Sequence, residues 1–313
     1  HQIQINIDNG HDSDRHEKIL SAMKSGKIDA AVFSEVPVKK FEEKTLLSAS
    51  DKALDEIRKS AEAGDTEAQF LLGWKNFAGN GSLNGPLALQ WFQKASSAGH
   101  AVAKVLLGRM FCRGTNVEKD LPRGEELIRG GLPATTQRAE KGDSISQFAL
   151  AAVLDGGYGT KENIAEAFVW YRKAAEQGIS AAQTNLGYMY AKGRGVSQGD
   201  TLAASWYQKA AEQGNIIAQR NLGNIYREGR GIPQDDVQAV SWYRKAAEQG
   251  DAIAQSNLGF IYSQGKGVPQ DDVQAVSWYR KAAEQGDANA QSNLGLMYSQ
   301  GKGIPQDDVQ AVS

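Results

Sequence analysis

Trp170, Trp206, Trp242 and Trp278 lie 36 residues apart, and Gly178, Gly214, Gly250 and Gly286 keep the same step, as do Gly187, Gly223, Gly259 and Gly295. Three markers locked to one period constrain the fold more than any other feature of the chain. A repeat of this length is one supersecondary unit that can bury its apolar face only against copies of itself. Upstream the rhythm is worn but legible: Gly64, Gly99 and Gly142 take the place of Gly178, with steps of 35 and 43 residues. The longer step is expected to hold an extra loop around Leu132 to Gln137.

The unit Asp251–Gly286 shows what each position does. Ala254, Leu258, Gly259 and Tyr262 recur at helical spacing, so a helix A is expected from about Asp251 to Gln264. Gly250 followed by Asp251 reads as a left-handed helix stop and an N-cap, one helix ending where the next begins. Gly265-Lys266-Gly267-Val268-Pro269 is a turn. Helix B opens at Asp271, whose offset to Gln274 matches a capping box. Its Ala275, Trp278, Tyr279, Ala282 and Ala283 form one apolar face. The small Ala254 and Gly259 let helix B approach, while Trp278 and Tyr279 are expected to fill the space between this pair and the next. Asn185, Asn221, Asn257 and Asn293 are expected to supply the structural amide beside the buried Leu. Six complete A/B pairs start at Gly64, Gly99, Gly142, Gly178, Gly214 and Gly250. Ala53, Ile57 and Ala61 look like the remnant of a preceding helix B. A seventh helix A runs from Asp287 to Gln300, and its helix B begins at Asp307 and stops at Ser313, one residue before the expected Trp.

The string AAEQGDAIAQSNLGFIYSQGKGVPQDD, with AVSWYRKAAEQG after it, resembles the Sel1-like repeat, a relative of the tetratricopeptide repeat with longer turns. The resemblance covers about Asp51 to Ser313 and is loosest before Gly142. It implies an all-α fold, a right-handed superhelical α-solenoid of antiparallel helix pairs that acts as an adaptor or inhibitor by holding another protein in its groove. The domain organisation expected is an irregular head over residues 1–50 and the solenoid over 51–313. In the head, Ser13 would cap a short helix carrying Ile19, Leu20 and Met23, and Ile3, Ile5 and Ile7 allow a short strand or a tail.

Composition narrows the partner. Lys plus Arg number 35 against 37 Asp plus Glu, so nothing favours a nucleic-acid backbone or an anionic membrane, and the expected partner is protein. No stretch approaches the roughly 18 apolar residues of a membrane span. The single Cys112 excludes an intramolecular disulfide and leaves the compartment open. Residue 1 is His1, not Met, so a removed leader or a trimmed chain is expected, with a lean toward an exported bacterial protein and cytoplasm the alternative.

Catalytic parts are sparse, and neither a catalytic residue nor a cofactor is expected. His11, Asp12, Asp14 and His16 match no metal-ligand spacing, and the Gly-Lys pairs lack the Ser or Thr and the preceding strand of a phosphate loop. No motif gives Cys112 a His partner. Cysteine-rich members of the resembled family are associated with penicillin binding and hydrolysis, but they rely on a disulfide in each unit. A hydrolase is therefore the least favoured reading, and an inhibitor or immunity protein that wraps a secreted toxic effector is a narrower form of the scaffold.

Positions of helix A that change from unit to unit fall on one face, away from the Ala-Leu-Tyr stripe. In tetratricopeptide relatives that face lines the concave groove. It carries Phe70, Trp74 and Phe77; Arg109 and Arg113; Phe148; Tyr188 and Lys192; Arg220, Asn224 and Arg227; Phe260 and Gln264; and Leu296. Thr184, Ser256 and Ser292 share it. Aromatic and Arg residues are the types enriched at interface hot spots. Phe70 and Trp74 could equally pack as core under neighbouring units, whereas Tyr188 and Phe260, placed between polar equivalents, are expected to be exposed. At the C-terminal end Leu294 and Tyr298 lack aromatic cover, and a partner chain, a neighbour or further chain is expected to supply it.

Overall fold

The structure, a computed structural model, describes residues 51–78 and 84–307. The expected head, including His11 to His16, and residues 308–313 lie outside the described residues. Among the described residues there are fourteen α-helices and no strand. A first helix, α1 (Asp51–Glu62), is followed by six A/B pairs: α2 (Thr66–Ala78) with α3 (Gly85–Ser97), α4 (Ala101–Arg113) with α5 (Leu121–Glu140), α6 (Ser144–Gly156) with α7 (Ile164–Glu176), α8 (Ser180–Lys192) with α9 (Asp200–Glu212), α10 (Ile216–Glu228) with α11 (Asp236–Glu248), and α12 (Ala252–Gln264) with α13 (Asp272–Glu284). The last helix is α14 (Ala288–Gln300). Each helix packs on the one before and the one after it, so the array is an α-solenoid of antiparallel helix pairs.

Caps and glycines set this geometry. Asp143, Asn215, Asp251 and Asp287 accept the backbone N–H three residues on and start α6, α10, α12 and α14. Asp235 and Asp271 do the same for α11 and α13. Gln274 supplies that backbone N–H to Asp271, whose own N–H goes to the Tyr262 carbonyl, so the cap is one-sided where a reciprocal box was expected. From α6 onward each A-to-B turn uses two left-handed glycines, as in Gly265 (φ 65°) and Gly267 (φ 71°), whereas the turn after α4 uses Gly114 and Asn116. At Gly267 a Cβ would lie 2.5 Å from the carbonyl carbon and oxygen of Asp236, so this turn rests directly on the preceding helix B.

The large-small alternation is resolved in detail. In the last three pairs the most buried ring is the Tyr: Tyr207, Tyr243 and Tyr279 pack against Gly187, Gly223 and Gly259 of their own helix A, as Phe92 does against Gly73 in the first. The neighbouring Trp faces the preceding repeat. Trp242 joins the core cluster formed by Ala203, Ala204 and Tyr207 of the preceding helix B and Leu222 and Ile225 of its own helix A, and Lys245 lies over its ring at 3.9 Å. Lys173, Lys209 and Lys281 cover Trp170, Trp206 and Trp278 in the same way. These three Trp residues are half-buried, so Tyr, not Trp, is the core ring of the unit.

Two expectations are corrected here. The extra residues around Leu132 to Gln137 are not a loop but two further turns of α5, which runs through Pro133. Gly124, Ile128, Gly131, Thr135 and Ala139 form an unbroken buried stripe, while Pro133 faces solvent. Burial along the stripe outweighs the ~3 kcal/mol an interior Pro costs.

The buried structural amide is Gln, while the half-buried Asn beside the Leu serves more locally, Asn221 hydrogen-bonding the Tyr207 hydroxyl. Gln183, Gln219 and Gln255 each donate Nε2 to the carbonyl of an Ala eight residues earlier, at 3.0 to 3.2 Å, and accept from the Gln that ends the following helix B, at 2.6 to 2.8 Å. This buried ladder ties each repeat to the next. Gln219→Leu keeps the volume but leaves the Ala211 carbonyl and the Gln249 amide without these partners, and is expected to cost about 2 kcal/mol. Chemical denaturation checks this, with Asn221→Ala as the mild comparison. Equal losses for the two would refute the ladder.

Candidate partner-binding groove

Ile253, Ser256, Phe260, Ser263 and Gln264 of α12 share one helical face, and the same register can be followed along every helix A. In the first three repeats this face is closed. Phe70, Trp74 and Phe148 are buried, with Val102, Val105 and Ile145 beside them. Trp74 meets Phe148 edge-on with ring centroids 5.3 Å apart, reaching from α2 to α6, and Phe148 meets Tyr171 at 6.0 Å. Phe70 stacks on His100 at 4.1 Å. Half-buried Phe77 packs on Trp74 and Phe92. Phe70, Trp74 and Phe148 are thus core residues and not groove-lining ones. Rings from alternate A helices bury one another's apolar area, a gain that exposure would forfeit.

Arg109 is half-buried, and burial pulls its guanidinium pKa down, while Arg113 is exposed. Cys112 is buried between them in sequence, its Sγ 4.0 Å from the Leu121 carbonyl, and burial pushes its thiol pKa up.

From α8 onward the face opens. Tyr188 is 46% exposed, Phe260 41% and Leu296 52%, all at one register position. Ile217 and Ile253, also among the exposed large apolar residues, extend the row. They were legible in the sequence: Ile253 lies seven residues before Phe260 and so falls on the same face. Lys192 and Gln264 are exposed at the end of their helices.

The α10 positions are engaged internally. Asn224 Oδ1 accepts from the Tyr243 hydroxyl at 2.6 Å, the Arg227 guanidinium sits 6.0 Å from the Tyr243 ring, and Arg220 Nη1 pairs with Asp251 Oδ2 at 2.8 Å, on the N-cap of the next helix A. Thr184 and Ser256 are buried, Thr184 donating its hydroxyl to the Ser180 carbonyl. Small residues there fill the space between helices, so the variable face is only partly presented to solvent.

Helix pairs stacked in one row, with one face of the later A helices left open and apolar, define a helical-repeat protein of the tetratricopeptide-like class. The Sel1 repeat model matches residues 66–100, 101–129, 144–179, 180–215, 216–251, 252–287 and 288–313, and the chain belongs to the Sel1 repeat family. Proteins of this family are generally protein-interaction scaffolds and mostly not enzymes. Among solved structures, the chain is similar to a protective antigen present in uropathogenic Escherichia coli strains, which displays an SLR fold. The two are 34% identical with a TM-score of 0.59, over 83% of this chain and 54% of that one. The chain therefore matches little more than half of that antigen's length. It is also similar to a Sel1 repeat protein from Oxalobacter formigenes, 30% identical with a TM-score of 0.57, over 95% of this chain and 84% of that one. No curated protein matches the chain. Among the described residues, no helix is long and apolar enough to cross a membrane and no cluster of three or more metal-ligating side chains occurs.

Proposed function

We propose that the chain is a protein-binding scaffold whose partner docks on the open face of repeats four to seven. The observation that carries this reading is the row Tyr188, Phe260 and Leu296, each more than 40% exposed, on successive or alternate A helices of an otherwise well-packed array. Aligned exposed apolar side chains are unfavourable in a free chain and are the usual mark of a docking surface. The buried, proton-retaining thiol of Cys112 argues against a nucleophilic role for the only cysteine.

The test is capture of partners from a bacterial lysate by the full chain. Tyr188→Ser/Phe260→Ser/Leu296→Ser should abolish the capture. The control Val237→Ser/Val273→Ser, altering two residues that are still more exposed at the start of α11 and α13, should leave it intact. A partner retained by the groove variant and lost by the control would overturn the assignment.

A further inference from the structure

The A helices of the open half carry almost no acid. Helices α8, α10, α12 and α14 together contain a single acid, Glu228, against Lys192, Arg220 and Arg227. Glu228 is already met by Arg227 at 3.2 Å and Arg230 at 3.7 Å. The turns that follow these helices add Arg194, Arg230, Lys266 and Lys302, and at their far ends Asp235, Asp271 and Asp307, of which Asp235 and Asp271 cap α11 and α13. The two arginines are used within the fold: Arg194 pairs with Asp155 and Glu162, and Arg230 with Asp200 at 2.8 Å. Lysine replaces arginine in the last two turns, and among the described residues Lys192, Lys266 and Lys302, all exposed, form no ion pair. Each of the three stands beside an exposed apolar residue of the row. Lys192 is one helical turn past Tyr188, Lys266 Nζ is 5.9 Å from the Phe260 ring, and Lys302 holds the same register relative to Leu296.

In a chain whose formal net charge is -2, Lys192, Lys266 and Lys302 stand beside the apolar row. Asp251 and Asp287, which precede α12 and α14, are occupied in capping those helices, and Asp251 also pairs with Arg220. Resting on the groove reading above, we infer that the partner is a polypeptide segment in which acidic residues alternate with apolar or aromatic ones, the apolar side chains covering Tyr188, Phe260 and Leu296 and the carboxylates meeting Lys192, Lys266 and Lys302. Opposite charges arranged this way fix register and speed encounter more than they add affinity.

A random peptide library displayed on phage and selected against the immobilised full chain tests this. The recovered peptides should be rich in Asp or Glu interleaved with Leu, Phe, Trp or Tyr. Their binding should weaken as salt is raised, fall about tenfold in Lys192→Glu/Lys266→Glu/Lys302→Glu, and disappear in Tyr188→Ser/Phe260→Ser/Leu296→Ser. All six positions are solvent-accessible, and circular dichroism of each variant confirms the fold. Apolar peptides with no acidic bias, lost in the serine variant but unaffected by charge reversal, would overturn the acidic partner and leave the groove standing. Peptides that bind both variants as well as the parent, or no selectable peptide at all, would overturn both.

Discussion

Tyr243→Ala is expected to cost about 4 kcal/mol, more than any Trp of the repeat motif. Tyr243 is fully buried, its ring lies so close to Gly223 that a Cβ there would come within 2.8 Å, and its hydroxyl donates to Asn224. Truncation opens a cavity between α10 and α11 and leaves Asn224 Oδ1 without this donor. Since each repeat is stabilised mainly by its neighbours, the loss falls in the middle of the array and should divide it. Urea unfolding should then show a broadened or two-step transition with a smaller m-value in the first step. Trp206→Ala removes a larger side chain, yet one half-buried beneath Lys209, and is expected to cost about half as much. A larger loss for Trp206→Ala than for Tyr243→Ala would show that the core ring has been assigned to the wrong residue.

Gly267→Ala is expected to cost about 3 kcal/mol, from two sources that act together. An L-residue at φ 71° is strained by about 1 to 2 kcal/mol, and the new methyl group would stand 2.5 Å from the Asp236 carbonyl, where backbone rather than a flexible side chain must give way. Gly250→Ala separates the two. Gly250 has φ 93°, but nothing lies within 4 Å of a Cβ placed there, so only the backbone strain applies and the loss should be about 1 kcal/mol. Thermal or urea denaturation of both variants measures the difference. Equal losses would mean that the turn does not bear on the preceding helix B.

What the sequence made legible was whatever repeats. The helix pairs, their caps and their paired glycines follow from the 36-residue period, because each copy restates the same local chemistry. The residues of α5 were misread for the converse reason: with no second copy to compare, the longer step from Gly99 to Gly142 suggested a loop, whereas the deciding quantity was the buried stripe of Gly131 and Thr135 packing on α4. Gln219 and Gln249 repeat as faithfully as any Trp. Their hydrogen bond joins residues 30 apart, and nothing local to either reveals it.

The groove illustrates a further limit. One register position carries Trp74, Tyr188 and Phe260, and residue type alone does not separate them. Trp74 is covered because Phe148, two A helices along, supplies a ring to cover it. Tyr188 has no such counterpart: the equivalent position two A helices along is Ser256, too small to help. Exposure was decided by contacts between repeats, which only the assembled array displays.

Hydroxyl-radical footprinting of the free, full chain addresses this division of one helical face into a closed and an open half most directly. Side chains are oxidised at rates that follow their solvent contact. Tyr188, Phe260 and Leu296 should react readily while Phe70, Trp74 and Phe148 stay protected, even though Trp is intrinsically among the most reactive residues. Oxidation of Trp74 at a rate matching Tyr188, or protection of Tyr188 and Phe260 in the unbound chain, would contradict the account.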